Sequence, residues 1–116
     1  MYAMDIYNGN KFSAEFLQIA PNNRIPVIVD QKTGIQLMKS ATIMLFLVDK
    51  YKRFQCTGTE HWRMVEWLKW QISGLGPMLG QAHHFLHYDP GKSEYAEQRY
   101  SKEATHLYGA LNVRLS

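Results

Sequence analysis

Three places in this chain of 116 residues combine side chains whose types and spacing could do chemistry. His83 and His87 lie one helical turn apart with His84 between them, so two imidazoles could share a helix face and meet a metal ion. A zinc site needs further ligands, and no metal is expected. Lys39-Ser40 stands directly before the apolar run Ala41 to Val48. A serine at a helix start sits among free N–H groups and the positive end of the helix dipole, where an anion binds readily or the hydroxyl simply caps the helix. Ile25-Pro26 opens a β-branched run, and there the proline either starts an edge strand or shapes a backbone site. Arg99 could pair with Glu103 one turn on. Cys56 with Arg53 nearby could be reactive, although an incidental linker thiol is the simpler reading. The chain shows no glycine-rich phosphate loop and no Ser-His-Asp arrangement.

The elements that must carry these groups are legible from periodicity and punctuation. Asn8-Gly9-Asn10 is a turn, and Ser13 caps a short helix through Ile19 that Pro21 ends. Ile25 to Asp30 and Ile35 to Met38 read as two strands of a hairpin around Lys32-Thr33-Gly34. Met1 to Ile6 reads as an extended remnant. Ser40 is expected to cap a helix to about Tyr51, apolar on nearly every face and therefore buried. Apolar periodicity stops between Lys52 and Thr59. From Glu60 onward the pattern is helical, with a stripe of Trp62, Val65, Leu68, Ile72, Leu75 and Leu79. Gly76-Pro77 should bend that helix, because proline cannot donate to the preceding turn. After a loop at Tyr88 to Gly91, Ser93 caps a last helix with the stripe Tyr100, Ala104, Leu107, Tyr108, Leu111 and Leu115.

Composition sets the outer limits. With 46% hydrophobic and 20% charged residues, the chain is an ordinary globular sequence and not a disordered one. No apolar run approaches the roughly 20 residues of a membrane helix, and the start carries no signal-peptide pattern. A single cysteine excludes an internal disulfide and fits a reducing cytoplasm. The net charge of +3 is spread along the chain apart from Lys50, Lys52 and Arg53, so neither nucleic acid nor membrane is expected as a partner.

Two segments together resemble the glutathione transferase superfamily: Pro21-Asn22-Asn23-Arg24-Ile25-Pro26-Val27-Ile28-Val29-Asp30, and Trp67 to Phe85 with its Gly74-Leu75-Gly76-Pro77 interruption and paired histidines. The likeness runs from Asp5 to Leu115 and is greatest to the bacterial nu-class and yeast prion-protein-like branch. It implies a fold of mixed class, α+β passing to all-α. Residues 1–51 would form a partial thioredoxin-like domain, and residues 60–116 a partial all-helical C-terminal domain. Both ends read as cut, with a strand and helix expected before Met1 and further helices after Ser116.

The resemblance also implies a glutathione site. Ile25-Pro26 takes the cis-proline position, where the backbone of the residue before proline pairs with the cysteinyl unit of an extended peptide. Ser40 takes the position that holds the γ-glutamyl carboxylate. Lys39 stands where an acid would receive the ligand's ammonium group. Arg24 lies near the glycyl carboxylate, Lys11 replaces a glutamine, and Arg99 reaches the ligand from the helical domain. The thiol-activating residue of the branch would lie before this chain, so no catalytic residue is nominated. The function implied is that of a cytoplasmic, homodimeric glutathione transferase. It would use glutathione as co-substrate to reduce disulfides or peroxides and to conjugate electrophiles, with activity impaired in a truncated chain. The alternative is a non-catalytic interaction module of the same fold, or the product of a decayed gene.

Overall fold

The computed structural model describes Asp5 and residues 8–116. The extended segment expected over Met1 to Ile6 lies outside the described residues, Asp5 apart. The chain divides into two compact units, Met1–Gln55 and Cys56–Ser116.

In the first unit a short 3-10 turn, Asn10–Phe12, leads into α1 (Ala14–Ile19). The Ser13 hydroxyl accepts from the Phe16 N–H at 3.2 Å, which is the cap the sequence announces. Phe16 and Ala20 are buried and anchor the segment. Two short strands follow, β1 (Val27–Val29) and β2 (Gln36–Met38), paired antiparallel with Val27 opposite Met38 and Val29 opposite Gln36. Both are shorter than expected: Pro26 brings no donor to the ladder, and the tight turn takes up Asp30 to Ile35. Helix α2 (Ser40–Tyr51) returns against both strands.

Two expectations about α2 are corrected. Its N-cap is Lys39, not Ser40, and no side chain caps it. Nor is it buried all round: Ala41 and Ile43 are buried, whereas Met44, Leu45 and Leu47 are exposed. A two-stranded sheet offers one narrow face, so only one stripe of an apolar helix finds cover on it.

Asp30 ties the turn end of the hairpin to the far end of α2. Its N–H donates to Ile35 O at 2.9 Å, and its carbonyl accepts from Gly34 N–H at 2.7 Å, with Gly34 at φ 73 where a side chain would be strained. One carboxylate oxygen accepts from the Thr33 hydroxyl at 2.6 Å. The other accepts from the Lys50 ammonium. No spacing rule links positions 30 and 50, and the sequence reading missed this pair.

The second unit begins with α3 (Gly58–Trp70), two residues before the Glu60 start expected. A π-turn, Gln71–Leu75, links it to α4 (Gly76–His83), and a second π-turn, His84–Tyr88, precedes the loop to α5 (Glu94–Leu115). The interruption at Gly76-Pro77 is thus a widened turn. Pro77 has no N–H, and the Gly76 N–H reaches five residues back to Gln71 O. A Cβ at Gly76 would stand 3.3 Å from that same carbonyl oxygen, so glycine belongs there. At Gly74 a Cβ would meet Leu107 Cδ2 of α5 at 3.7 Å, an ordinary contact. The buried positions are Ala82, Ala96 and Leu107, with Phe85 stacked on Tyr100 at 5.6 Å. Four members of the expected stripes are corrected: Trp62, Ile72, Tyr108 and Leu115 are 71%, 38%, 57% and 77% exposed. A helix covers only the part of a neighbour's stripe that it directly faces, and these lie outside it. No helix among the described residues is long and apolar enough to cross a membrane.

The Asp30–Lys50 pair makes stability depend on pH in a definite sense. Lys50 first, then Thr33, holds the Asp30 carboxyl at about 2, below its ordinary 3.8. A folded pKa below the unfolded one stabilises the fold above the unfolded value and loses that contribution as pH falls through the folded value. Lys50 is raised by Asp30, so its share is present at neutral pH and lost only as pH climbs through the raised value. Melting temperature should therefore fall as pH drops from about 4 toward 2. Asp30→Asn should melt lower at neutral pH and show a shallower acid limb. Parallel acid limbs in the two proteins would refute the assignment.

Candidate functional site

The hairpin register decides which of the candidate residues meet. With Val27 opposite Met38, the segment before β1 and the segment after β2 emerge at one end of the ladder. Ile25-Pro26 and Lys39-Ser40 are those segments, so residues far apart in sequence become spatial neighbours. Asp30 and the turn occupy the other end. The site is thereby separated from the ion pair that fixes α2.

The Ile25–Pro26 bond is cis, as the resemblance implies. Ile25 and Pro26 are exposed, Ile25 at 56%, and Ile25 takes no part in the ladder. An exposed backbone outside its own sheet is the arrangement that an extended peptide can join. Beside it, α2 begins with free N–H groups on its first turn, since the first intrahelical bond runs from Ile43 N to Lys39 O at 3.0 Å. Because Lys39 takes the cap position, Ser40 lies inside the first turn. Its hydroxyl has no hydrogen-bond partner among the described residues, and the residue is exposed. The competing reading of Ser40 as a plain cap therefore fails on geometry.

Lys39 is the most strained residue of the site. It adopts φ 72 and ψ 121, on the side of the backbone map that side-chain-bearing residues rarely visit. The corner from β2 into α2 imposes that conformation, and glycine would meet it without strain. Its ammonium is exposed and pairs with no carboxylate among the described residues. Sequence patterning gave no hint of the strain.

The remaining candidates are more scattered. Arg24 is exposed in the loop one residue before Ile25. Lys11 is half-buried on the 3-10 turn, its Nζ 5.2 Å from the Phe12 ring centroid. Arg99 lies on α5 in the second unit, where its Nη1 donates to the Tyr95 hydroxyl at 3.4 Å, and not to the expected Glu103. Asn23 is a residue the sequence reading quoted without assigning a role. It sits at φ 52 beside Arg24, its N–H donates to Ala20 O at 2.9 Å, and its Oδ1 is buried with no donor. Among the histidines, His83 and His87 stack at 4.9 Å, and His84 Nε2 lies 3.1 Å from Asp89 Oδ2. Among the described residues no three His, Cys, Asp or Glu side chains converge as metal ligands would.

A thioredoxin-like part that places a cis-proline beside a helix N-terminus, followed by an all-helical part, is the fold of glutathione transferases. The chain matches no protein-family profile. It is 44% identical over 118 residues to the disulfide-bond oxidoreductase YfcG of Escherichia coli, across 97% of this chain and 55% of that protein. Among solved structures, Ure2p in complex with glutathione superposes with a TM-score of 0.87 at 30% identity, over 97% of this chain and 51% of that one. The glutathione transferase URE2P6 of Phanerochaete chrysosporium, bound to oxidised glutathione, superposes at 0.86 with 34% identity, over 95% and 53%. The chain belongs to the glutathione transferase superfamily, on the branch that holds YfcG and Ure2. It spans about half the length of these relatives.

The two helix-start serines can be told apart experimentally. Ser93 accepts from the Ala96 N–H at 3.3 Å and is a working cap. Ser93→Ala should destabilise by about 1 kcal/mol in urea unfolding. Ser40→Ala should leave the unfolding midpoint unchanged, because no hydrogen bond within the fold is lost. A loss at Ser40 equal to that at Ser93 would restore the capping role.

Proposed function

We propose that this chain supplies the glutathione-binding part of a glutathione transferase that reduces disulfides or peroxides and conjugates electrophiles. The observation that carries the reading is the pairing of an exposed Ile25 backbone with the partnerless Ser40 hydroxyl at the end of the hairpin. The first suits a peptide backbone, and the second, with the free N–H groups of α2, suits a carboxylate. Arg24 adds a cation for the glycyl carboxylate, with Lys11 as a further donor. Glutathione acts as co-substrate, and the second substrate is a small electrophile or a disulfide. The relatives support this reading: YfcG is a disulfide-bond oxidoreductase, and the fungal transferase holds oxidised glutathione. The working form is a cytoplasmic homodimer, with residues 1–51 and 60–116 as its thioredoxin-like and helical domains.

A second reading, a binding module of the same fold without catalysis, is favoured by Lys39. An acid at that position would form a charge-assisted bond to the ligand's ammonium group, worth roughly 1.5–3 kcal/mol. Lysine replaces it with like-charge repulsion.

Lys39→Glu separates the two readings. Glutathione titrated calorimetrically into this variant should bind at least about tenfold more tightly than into the native chain, about 1.4 kcal/mol being one decade. The gain should be largest at low salt, where screening is weakest. Ser40→Ala should weaken binding in both backgrounds. Equal affinity of the native chain and Lys39→Glu would show that residue 39 does not meet the ammonium group, and the charge argument would be wrong.

A further inference from the structure

The end of α4 carries three imidazoles for which the glutathione reading has no use: His83, His84 and His87, all exposed. His83 closes α4, and His87 lies in the π-turn His84–Tyr88 that follows. That turn is closed by the Asp89 N–H, which donates five residues back to His84 O at 2.9 Å. The backbone therefore stays helical past residue 87, and residues four apart keep to one face. The His83 and His87 rings accordingly lie side by side, with centroids 4.9 Å apart and planes 27° from parallel. Widened turns of this kind occur often at functional sites.

Two neighbours divide the cluster. Tyr88 stands edge-on to both members of the stack, at 5.0 Å and 88° from His83 and at 5.2 Å and 67° from His87. It limits how far either ring can turn, so the pair is partly arranged before any ligand arrives. Asp89 draws His84 out of the group, with His84 Nε2 3.1 Å from Asp89 Oδ2. Two neighbouring imidazoles open to solvent are a chelate for a metal ion that favours nitrogen. Metal–nitrogen bonds of about 2.0–2.1 Å hold two ligand atoms roughly 3–4 Å apart, a spacing that small ring rotations give in a stack of this kind.

We propose that His83 and His87 form an open two-nitrogen site for a late first-row divalent cation, nickel or copper, with water completing the coordination. No third His, Cys, Asp or Glu side chain among the described residues converges there, so this is not the closed four-ligand site of a structural zinc. Imidazole nitrogen selects against magnesium and calcium, which take oxygen ligands. The site is built from α4 and the turn after it, is independent of Ile25, Lys39 and Ser40, and does not rest on the glutathione reading.

The test titrates nickel chloride calorimetrically into the full chain, free of glutathione and of chelating buffer. Nickel is the probe because copper(II) would also oxidise the free Cys56 thiol. Nickel should bind at one site, and magnesium chloride should give no binding. His83→Gln and His87→Gln should each weaken nickel at least about tenfold. His84→Gln should leave nickel affinity unchanged, and so should His106→Gln, which removes an imidazole on α5. Nickel should raise the melting temperature of the native chain and of His84→Gln, but not that of His83→Gln or His87→Gln. Unchanged helical circular dichroism in the last two variants separates lost binding from lost folding. A native chain that binds no nickel would overturn the proposal. So would nickel affinity that survives either substitution in the stacked pair, or an equal loss in His84→Gln.

Discussion

The antiparallel register of one short hairpin governs the first unit. Three residue pairs, from Val27 with Met38 to Val29 with Gln36, set the direction in which the chain enters and leaves the sheet. A slip by one residue would turn every strand side chain to the other face and part Ile25 from Ser40. So short a ladder needs support from outside itself. Asp30 supplies it by closing the turn through its backbone and gripping Lys50 with its side chain. Because that grip lies at the turn end, the opposite end remains open, with an exposed backbone and an unoccupied hydroxyl.

Charge pairing contributes differently at the two ends of α2. At its C-terminal end, Lys50 meets a carboxylate whose side chain is only 8% exposed, and each group strengthens the charged form of the other. At its N-terminal end, Lys39 adds a positive charge where the helix dipole is already positive, and it does so in a strained backbone conformation. The first arrangement supports folding. The second costs stability and alters what the site attracts, which is why Lys39 bears on ligand choice while Lys50 bears on the melting temperature.

In the helical unit the corresponding constraint is Pro77. A proline within a long helix must either break it or find a turn that spares its missing donor. Here the chain widens to a π-turn, Gln71–Leu75, that Gly76 makes possible. That irregularity keeps α3 and α4 in nearly continuous helical backbone.

Much of this was legible in the sequence. Ser13 and Ser93 announced their caps, the β-branched runs announced the hairpin, and the segments around Pro26 and Pro77 carried the family resemblance. These are local signals, since a cap, a turn or a proline acts within a few residues of itself. The Asp30–Lys50 pair and the partnerless Ser40 hydroxyl were decided only by tertiary structure. Each depends on where an element points once it has packed. The exposure of Trp62, Tyr108, Leu115 and the outer face of α2 has the same origin. Periodicity tells which residues share a face, but the area of the surface opposite decides how many of them are covered.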